Sequence, residues 1–292
     1  MIEFRARERR SRQNILLLGD SHIHAIKDAL EAREHRPTNV AIQARRLFKM
    51  KKATGEPINE TKQSFPDWLR SARSLFKEQS DRGTIEFGDI SFEEGMRIAR
   101  KLRPDDLLVS VIGGNQHAVF STIQHPQPFD FFLPGDTVPA DSRGELVPFR
   151  SLYEYFRSSL RRGDGEMIAA LRRSTKARVV HLLAPPPKRK NNWIEHYHDT
   201  FFATEGIGKL GISKPELRMK FWRLQSRALN EIGGELDVEV MGPPGAACDA
   251  DGFLARDCYA GDATHANAKY GELVLQQLEE RFASQGRVQA GS

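Results

Sequence analysis

The stretch Asn14-Ile-Leu-Leu-Leu-Gly-Asp-Ser-His-Ile-His24 decides how the chain folds. A continuous apolar run stops at Gly19-Asp20-Ser21-His22, and Ile23, Ile26 and Leu30 then recur at helical spacing. An apolar run without alternation is the signature of a parallel strand covered on both faces. Such a strand delivers Ser21 to its C-terminal edge, where a helix begins. Open α/β sheets place their ligands at that edge, and a helix N-terminus there favours an anion. Two roles fit Asp20 and Ser21 at this point: capping the first turn of the helix, or chemistry at the sheet edge.

Outward from this stretch the same alternation continues. Val40 to Leu47 reads as a second strand, and residues 48–82 are polar, without a strong period, and read as an insertion. Thr84 to Ser91 reads as a strand end and turn, followed by a helix from about Phe92 to Leu102. Leu107-Leu-Val-Ser-Val-Ile112 is again a buried strand, ending in Gly113-Gly114-Asn115-Gln-His117. Residues 118–150 form a long segment too rich in phenylalanine for disorder. Helical signals run from Leu152 to Leu160 and from Glu166 to Arg173, with Gly163-Asp-Gly165 as a break between them. Val179 to Leu183 is a third buried strand, stopped by Pro185-Pro-Pro187, and residues 188–213 read as an aromatic loop. A helix from Pro215 to Ile232 leads to a last strand, Leu236 to Val240. Asp262-Ala-Thr-His265 precedes a final helix striped by Tyr270, Val274, Leu278 and Phe282. The pattern predicts a three-layer α/β/α domain on a doubly wound, five-stranded parallel sheet. One domain spans 14–284, with a basic tail at 1–13, a C-terminal tail at 285–292, and insertions at 48–82, 118–150 and 188–213.

Composition agrees with a soluble core-bearing domain. The 292 residues are 39% hydrophobic, with seventeen phenylalanines and three tryptophans. The net charge of +5, from 44 basic and 39 acidic residues, is spread along the chain. It reads as a solvated surface and not as a nucleic-acid footprint. Arg5 to Arg12 and Lys188-Arg189-Lys190 are the densest basic runs and read as tail and loop. No run of about 18 apolar residues predicts a membrane span. Met1 to Gln13 lacks an apolar signal core, so the sequence reads as cytoplasmic. Cys248 and Cys258 are too few for a disulfide framework; in one loop they could pair in an oxidising compartment, and as spare thiols they suit the cytosol.

A serine nucleophile needs a base, a group that orients the base, and donors for an oxyanion. The strand ends supply these types in Ser21, Asn115 and the Asp262/His265 pair. Asp and His three residues apart, in a turn entering a helix, can set carboxylate beside imidazole. An uncharged amide suits an oxyanion because it neither titrates nor competes as a base. Each residue also has an ordinary role: Asn115 as a turn residue, Asp262 and His265 as residues of a helix start.

Taken together these segments resemble the SGNH (GDSL-like) hydrolase superfamily. Gly19-Asp20-Ser21 is similar to its first block, with His22 where many members carry leucine. Gly113-Gly114-Asn115 is similar to its third block, with Gln116 in place of the common aspartate, and Asp262-x-x-His265 followed by Ala266-Asn267 is similar to its fifth. The resemblance implies a flavodoxin-like sheet and a Ser21, His265, Asp262 triad. It also implies an oxyanion hole of the Ser21 amide, the Gly88 amide and the Asn115 side chain, with Gly55 and Gly95 as weaker candidates for the glycine. It implies no cofactor and no metal, and a small-molecule or glycan ester as substrate, since the Gly-Asp-Ser-His variant resembles members that act on O-acylated glycans. His22, His117 and Phe120 are expected to line the substrate site. Three other readings stand beside a serine esterase. One is acyl transfer on the same scaffold. The second is a calcineurin-like metallophosphoesterase, suggested by Asp20-x-His22 and Gly114-Asn115-x-His117. The third is a non-catalytic binding module.

Overall fold

Gln13–Gly19 forms β1, and its side chains divide by parity. Ile15 and Leu17 enter one apolar cluster while Leu16 and Leu18 enter another on the opposite face. Successive residues of a strand point to opposite faces, so the unbroken apolar run marks a strand covered twice. The computed structural model describes residues 13–34, 40–48, 89–135, 140–141 and 144–288. After β1 come α1 (Ile23–Ala32), β2 (Val40–Phe48), β3 (Ile90–Ser91), α2 (Phe92–Ala99), β4 (Leu107–Val111) and α3 (Gln116–Ser121). A short pair follows, β5 (Phe129–Asp130) and β6 (Glu145–Leu146), then α4 (Phe149–Leu160) and α5 (Glu166–Ser174). β7 (Arg178–Leu182) precedes three short helices, α6 (Asn191–Tyr197), α7 (Thr200–Thr204) and α8 (Ile207–Leu210). The long α9 (Pro215–Glu235), β8 (Glu239–Met241) and α10 (Ala268–Val288) complete the chain.

The main sheet has the order β3-β2-β1-β4-β7-β8, with every pair parallel. It therefore has six strands where the sequence pattern predicts five. The sixth is β3, two residues paired with Leu47 and Phe48, too short to leave a periodic trace. From β1 the chain steps outward through β2 to β3, then returns to β4 on the other side of β1. That reversal, between the ends of β1 and β4, is the switch point at which doubly wound sheets open a crevice.

Helices lie on both faces, giving three layers. α1 and α10 cover Ile15, Leu17, Leu107 and Val109, with Tyr270, Val274, Leu275 and Leu278 buried between them. Burial of each such aliphatic side chain stabilises by about 1.5–3 kcal/mol. α2 and α5 cover Leu16, Leu18, Leu108 and Val179 on the other face. α10 presses so closely on α1 that a Cβ at Gly271 would lie 1.9 Å from the Ala25 carbonyl oxygen. This contact draws the segment before α10 to the β1 edge.

Several irregular stretches carry more structure than their sequence predicts. In residues 118–150, Phe120, Phe129 and Phe131 are buried with Phe156 and Phe221 in one aromatic cluster, while Phe132 faces solvent. A buried Lys220–Asp130 ion pair at 3.0 Å ties this segment to α9. Gly163-Asp-Gly165, predicted as a break, lies in a π-helical stretch, Arg161–Gly165, that joins α4 to α5 without interruption. Residues 188–213, predicted as loop, hold α6 to α8. The last strand begins at Glu239, not Leu236, because α9 runs on to Glu235 and Asp237 then reverses the chain at φ 54°. The insertion at 48–82 falls almost wholly outside the described residues. Among the described residues no helix is long and apolar enough to cross a membrane.

Candidate active site

Three segments meet at the β1–β4 switch point. The first is the turn after β1. Asp20 is buried and its Oδ2 accepts a hydrogen bond from the Gly113 amide at 3.0 Å, tying the end of β1 to the end of β4. It does not cap α1, whose N-cap position is His22 with no side-chain capping bond. Ser21, half-buried, stands between them at the helix start.

The second segment is the turn at 113–117. Gly113 and Gly114 have φ of 72° and 97°, left-handed values that residues with a Cβ rarely adopt. A Cβ on Gly113 would lie 1.9 Å from the Asp164 carboxylate. Asp164, delivered by the π-helical stretch, accepts from the Gly114 amide at 3.4 Å. Gln225 of α9 closes the turn from the other side. Its Oε1 accepts from the His117 amide at 2.8 Å and its Nε2 donates to the Gly114 carbonyl at 3.1 Å. Asn115 is exposed and opens α3, yet its side chain makes no capping bond. Asn115 Oδ1 lies 2.9 Å from His22 Nε2 instead. Burial, and then the neighbouring His265, lower the His22 pKa to about 3, so its imidazole is neutral at physiological pH.

The third segment is the loop before α10. Asp262 Oδ1 accepts from the amides of Thr264 and His265 at 2.9 and 2.7 Å, and Oδ2 is 2.8 Å from His265 Nδ1. Burial alone would raise the Asp262 pKa. The hydrogen bond and charge of His265, with Lys188 behind, more than offset this and hold the carboxyl well below the usual range. A carboxylate at Nδ1 fixes the proton there and leaves Nε2 as the basic nitrogen. Nε2 is buried and has no hydrogen-bond partner among the described residues, the Ser21 hydroxyl included. The His265 ring packs against His22 at 4.8 Å between centroids. Lys188, fully buried, braces the loop by donating to the carbonyls of Ala260 at 2.8 Å and Asp262 at 2.5 Å. Burial pulls its pKa down to about 8 against the pull of Asp262. Trp193 adds an indole bond to the Ala260 carbonyl at 3.2 Å.

The predicted residues Ser21, Asn115, Asp262 and His265 thus stand on one sheet edge, with His22 between Asn115 and His265. Gly88 and Gly55 lie outside the described residues. Gly95 lies within α2, packed against Leu47 and Leu18. His117 is buried, its pKa lowered to about 4 by that burial. It lines a small cleft with Ser121, Lys188, Arg218 and Thr264. Phe120 packs on Phe156 at 5.1 Å and on Phe221, a place in the core and not on a surface a substrate meets. Asp20 and His22 are directed at Gly113 and Asn115, and among the described residues no group of three or more His, Cys, Asp or Glu is arranged to hold a metal ion. Cys248 and Cys258 are free thiols. Sequence reasoning missed Lys188, Asp164 and Gln225. Asp164 had a signal in the glycines that flank it, but nothing local marked the other two.

No protein-family model and no curated protein matches the chain. Among solved structures it is similar to a carbohydrate acetylesterase from Sinorhizobium meliloti, at 13% identity and a TM-score of 0.40, over 94% of this chain and 100% of that one. It is also similar to an extracellular lipase from Streptomyces rimosus, at 12% identity and 0.42, over 91% and 98% of the two chains. A phospholipase A1 from Streptomyces albidoflavus NA297 aligns at 13% identity and 0.40, over 91% and 99%. These likenesses are distant, and they carry nothing about substrate or mechanism.

Proposed function

We propose that this protein is a serine ester hydrolase of the SGNH type, acting through Ser21, His265 and Asp262. The Ser21 hydroxyl attacks the ester carbonyl carbon and its proton passes to His265 Nε2, while Asp262 stabilises the imidazolium. The oxyanion is met by the Ser21 amide, the Asn115 Nδ2 and, in the expected arrangement, the Gly88 amide. Collapse expels the alcohol, which takes the proton from His265. Water then attacks the acyl-enzyme, gives its proton to His265, and returns Ser21 with its hydroxyl. The observation that carries this reading is His265, with Nδ1 held by a carboxylate and Nε2 buried and unpartnered beside the Ser21 turn. Such a nitrogen is a base awaiting a donor.

The substrate is an O-acyl ester of a polar alcohol, a carbohydrate among the candidates, with a short acyl group such as acetyl. The burial of Phe120, Phe129 and Phe131 in the core supports this, because there they offer no apolar wall to a long acyl chain. The test is labelling with a fluorophosphonate and mapping of the adduct, with hydrolysis of an activated acetyl ester measured in parallel. Adduct at Ser21, and a loss of about 10⁴-fold or more in Ser21→Ala, are expected. Adduct elsewhere, or hydrolysis surviving Ser21→Ala, overturns the reading.

A further inference from the structure

We propose that His22 is a positioning residue that selects the orientation of the Asn115 amide, so that its N–H₂ end and not its carbonyl faces the reacting ester. This inference rests on the hydrolase reading and asks what makes Asn115 a donor. A primary amide has two ends of nearly equal shape and opposite polarity. Turned one way it stabilises an oxyanion; turned the other it repels one. Nothing in its own helix chooses, because Asn115 opens α3 without capping it and stands exposed at the rim. The choice falls to the group at its other end, His22 Nε2, 2.9 Å from Oδ1.

The imidazole has three states, and one of them serves. With the proton on Nε2, His22 donates to Oδ1 and leaves Nδ2 for the oxyanion. With the proton on Nδ1, Nε2 becomes an acceptor and the amide inverts. The surroundings separate these two tautomers. His22 Nδ1 is buried and has no partner, so a proton there would be an orphaned donor, whereas a bare lone pair is the milder defect. The third state, imidazolium, also donates from Nε2, but it would set a fixed charge against His265, whose ring is 4.8 Å away and takes up the serine proton. The groups that act on the His22 charge are Asp20 and the Asn115 hydrogen bond, which favour it, and His265 and His117, which oppose it, and burial is the largest influence. The His22 ring rests against Gly114, where a Cβ would lie 3.4 Å from His22 Cδ2, in ordinary contact, and 2.6 Å from the Ala184 methyl. The Gly-Asp-Ser-His and Gly-Gly-Asn segments are thus parts of one device.

The test reads His22 directly and through kinetics. In the intact protein, long-range ¹H–¹⁵N spectra of the imidazole should show Nε2 protonated and Nδ1 bare from pH 5 to 8. The opposite tautomer, or an imidazolium in that range, overturns the proposal. On an activated acetyl ester, His22→Leu should lower kcat by about 10-fold to 10²-fold, a part of what loss of the whole donor costs, and leave KM unchanged. His22→Gln, which keeps an N–H for Oδ1, should recover most of that loss. In the Asn115→Ala background His22→Leu should add nothing; effects that multiply, or a His22→Leu enzyme at full kcat, refute the positioning role. If Asn115→Ala itself leaves kcat unchanged, Asn115 is no oxyanion donor and the proposal falls with that part of the hydrolase reading, while the Ser21 labelling result stands apart from both.

Discussion

The turn at 113–117 and the loop at 259–265 bring their side chains to the same edge, but opposite charges fasten them. The first is gripped by its amides: carboxylates of Asp20 and Asp164 accept from Gly113 and Gly114. The second is gripped by its carbonyls: the Lys188 ammonium donates to Ala260 and Asp262. The difference teaches where charge is wanted. At the first turn the Gly113 and Gly114 amides are already occupied by the protein's own carboxylates, so in the proposed mechanism the neutral Asn115 side chain meets the oxyanion. At the second the hydrogen bond and charge of His265, with the buried Lys188 behind, keep the Asp262 carboxyl ionised, so in the proposed mechanism the transferred proton stays on His265.

Breaking the second grip at its centre has the largest expected effect. Asp262→Asn preserves an acceptor for the Thr264 and His265 amides, so the loop should keep its shape. The amide can also meet His265 in the tautomer that carries its proton on Nε2, and that tautomer is no base. Loss of about 10⁴-fold in kcat is expected, with the circular dichroism spectrum unchanged. A loss under tenfold would mean that His265 is not oriented from this side. A smaller effect should follow from Lys188→Met, which fits the same space without donors. The Asp262 carbonyl loses the Lys188 donor and the Ala260 carbonyl keeps only the Trp193 indole, and a loop displaced by about 1 Å can cost about 10² in rate. The expected signature is a fall in kcat of that order with KM unchanged. An unaltered kcat would reduce Lys188 to a packing residue and remove the contrast between the two turns.

How much of this was legible in the sequence follows from the range of each interaction. β1 and β4 announce themselves because a strand covered on both faces needs an unbroken apolar run, and their ends mark Ser21 and Asn115. Asp262 and His265 are three residues apart, so their pairing is local and readable. The fastenings are not local. Lys188 reaches across 74 residues to Asp262 and Gln225 across 111 to Gly114, and no spacing rule connects such positions. Lys188 sits in a basic run whose composition reads as a solvated loop, although the fold buries it completely. Phe120, expected at the substrate site, was unreadable for the same reason: its partners Phe156 and Phe221 come from later helices. β3 falls in the stretch that reads as a strand end and turn, and it stays out of the strand count because two residues cannot express a period.

The comparison sharpens further in acid, where the two segments should fail in different pH windows. His22 and His117 lie at the first turn and His181 in β7 beside Ser110 of β4; all three are buried, and burial lowers their pKa values to about 3, 4 and 4 from an ordinary 6.5. Between those values and 6.5 the unfolded chain binds protons that the folded chain refuses. Stability is therefore complete above pH 6.5 and is lost as pH falls toward 4, at about 1.4 kcal/mol per pH unit for each histidine that contributes. Asp262 is depressed in the folded state, so its contribution is present above its unfolded pKa of about 4 and is lost only below that. Thermal midpoints measured from pH 8 to 3 should accordingly begin to fall near 6.5. His117→Gln should flatten the upper part of that fall, and Asp262→Asn should alter only the part below about 4. A midpoint that stays level from pH 7 to 4.5 would mean that these imidazoles gain protons without unfolding the chain. His22 would then be free to charge beside His265, and the neutral tautomer proposed to hold Asn115 would be lost in that range.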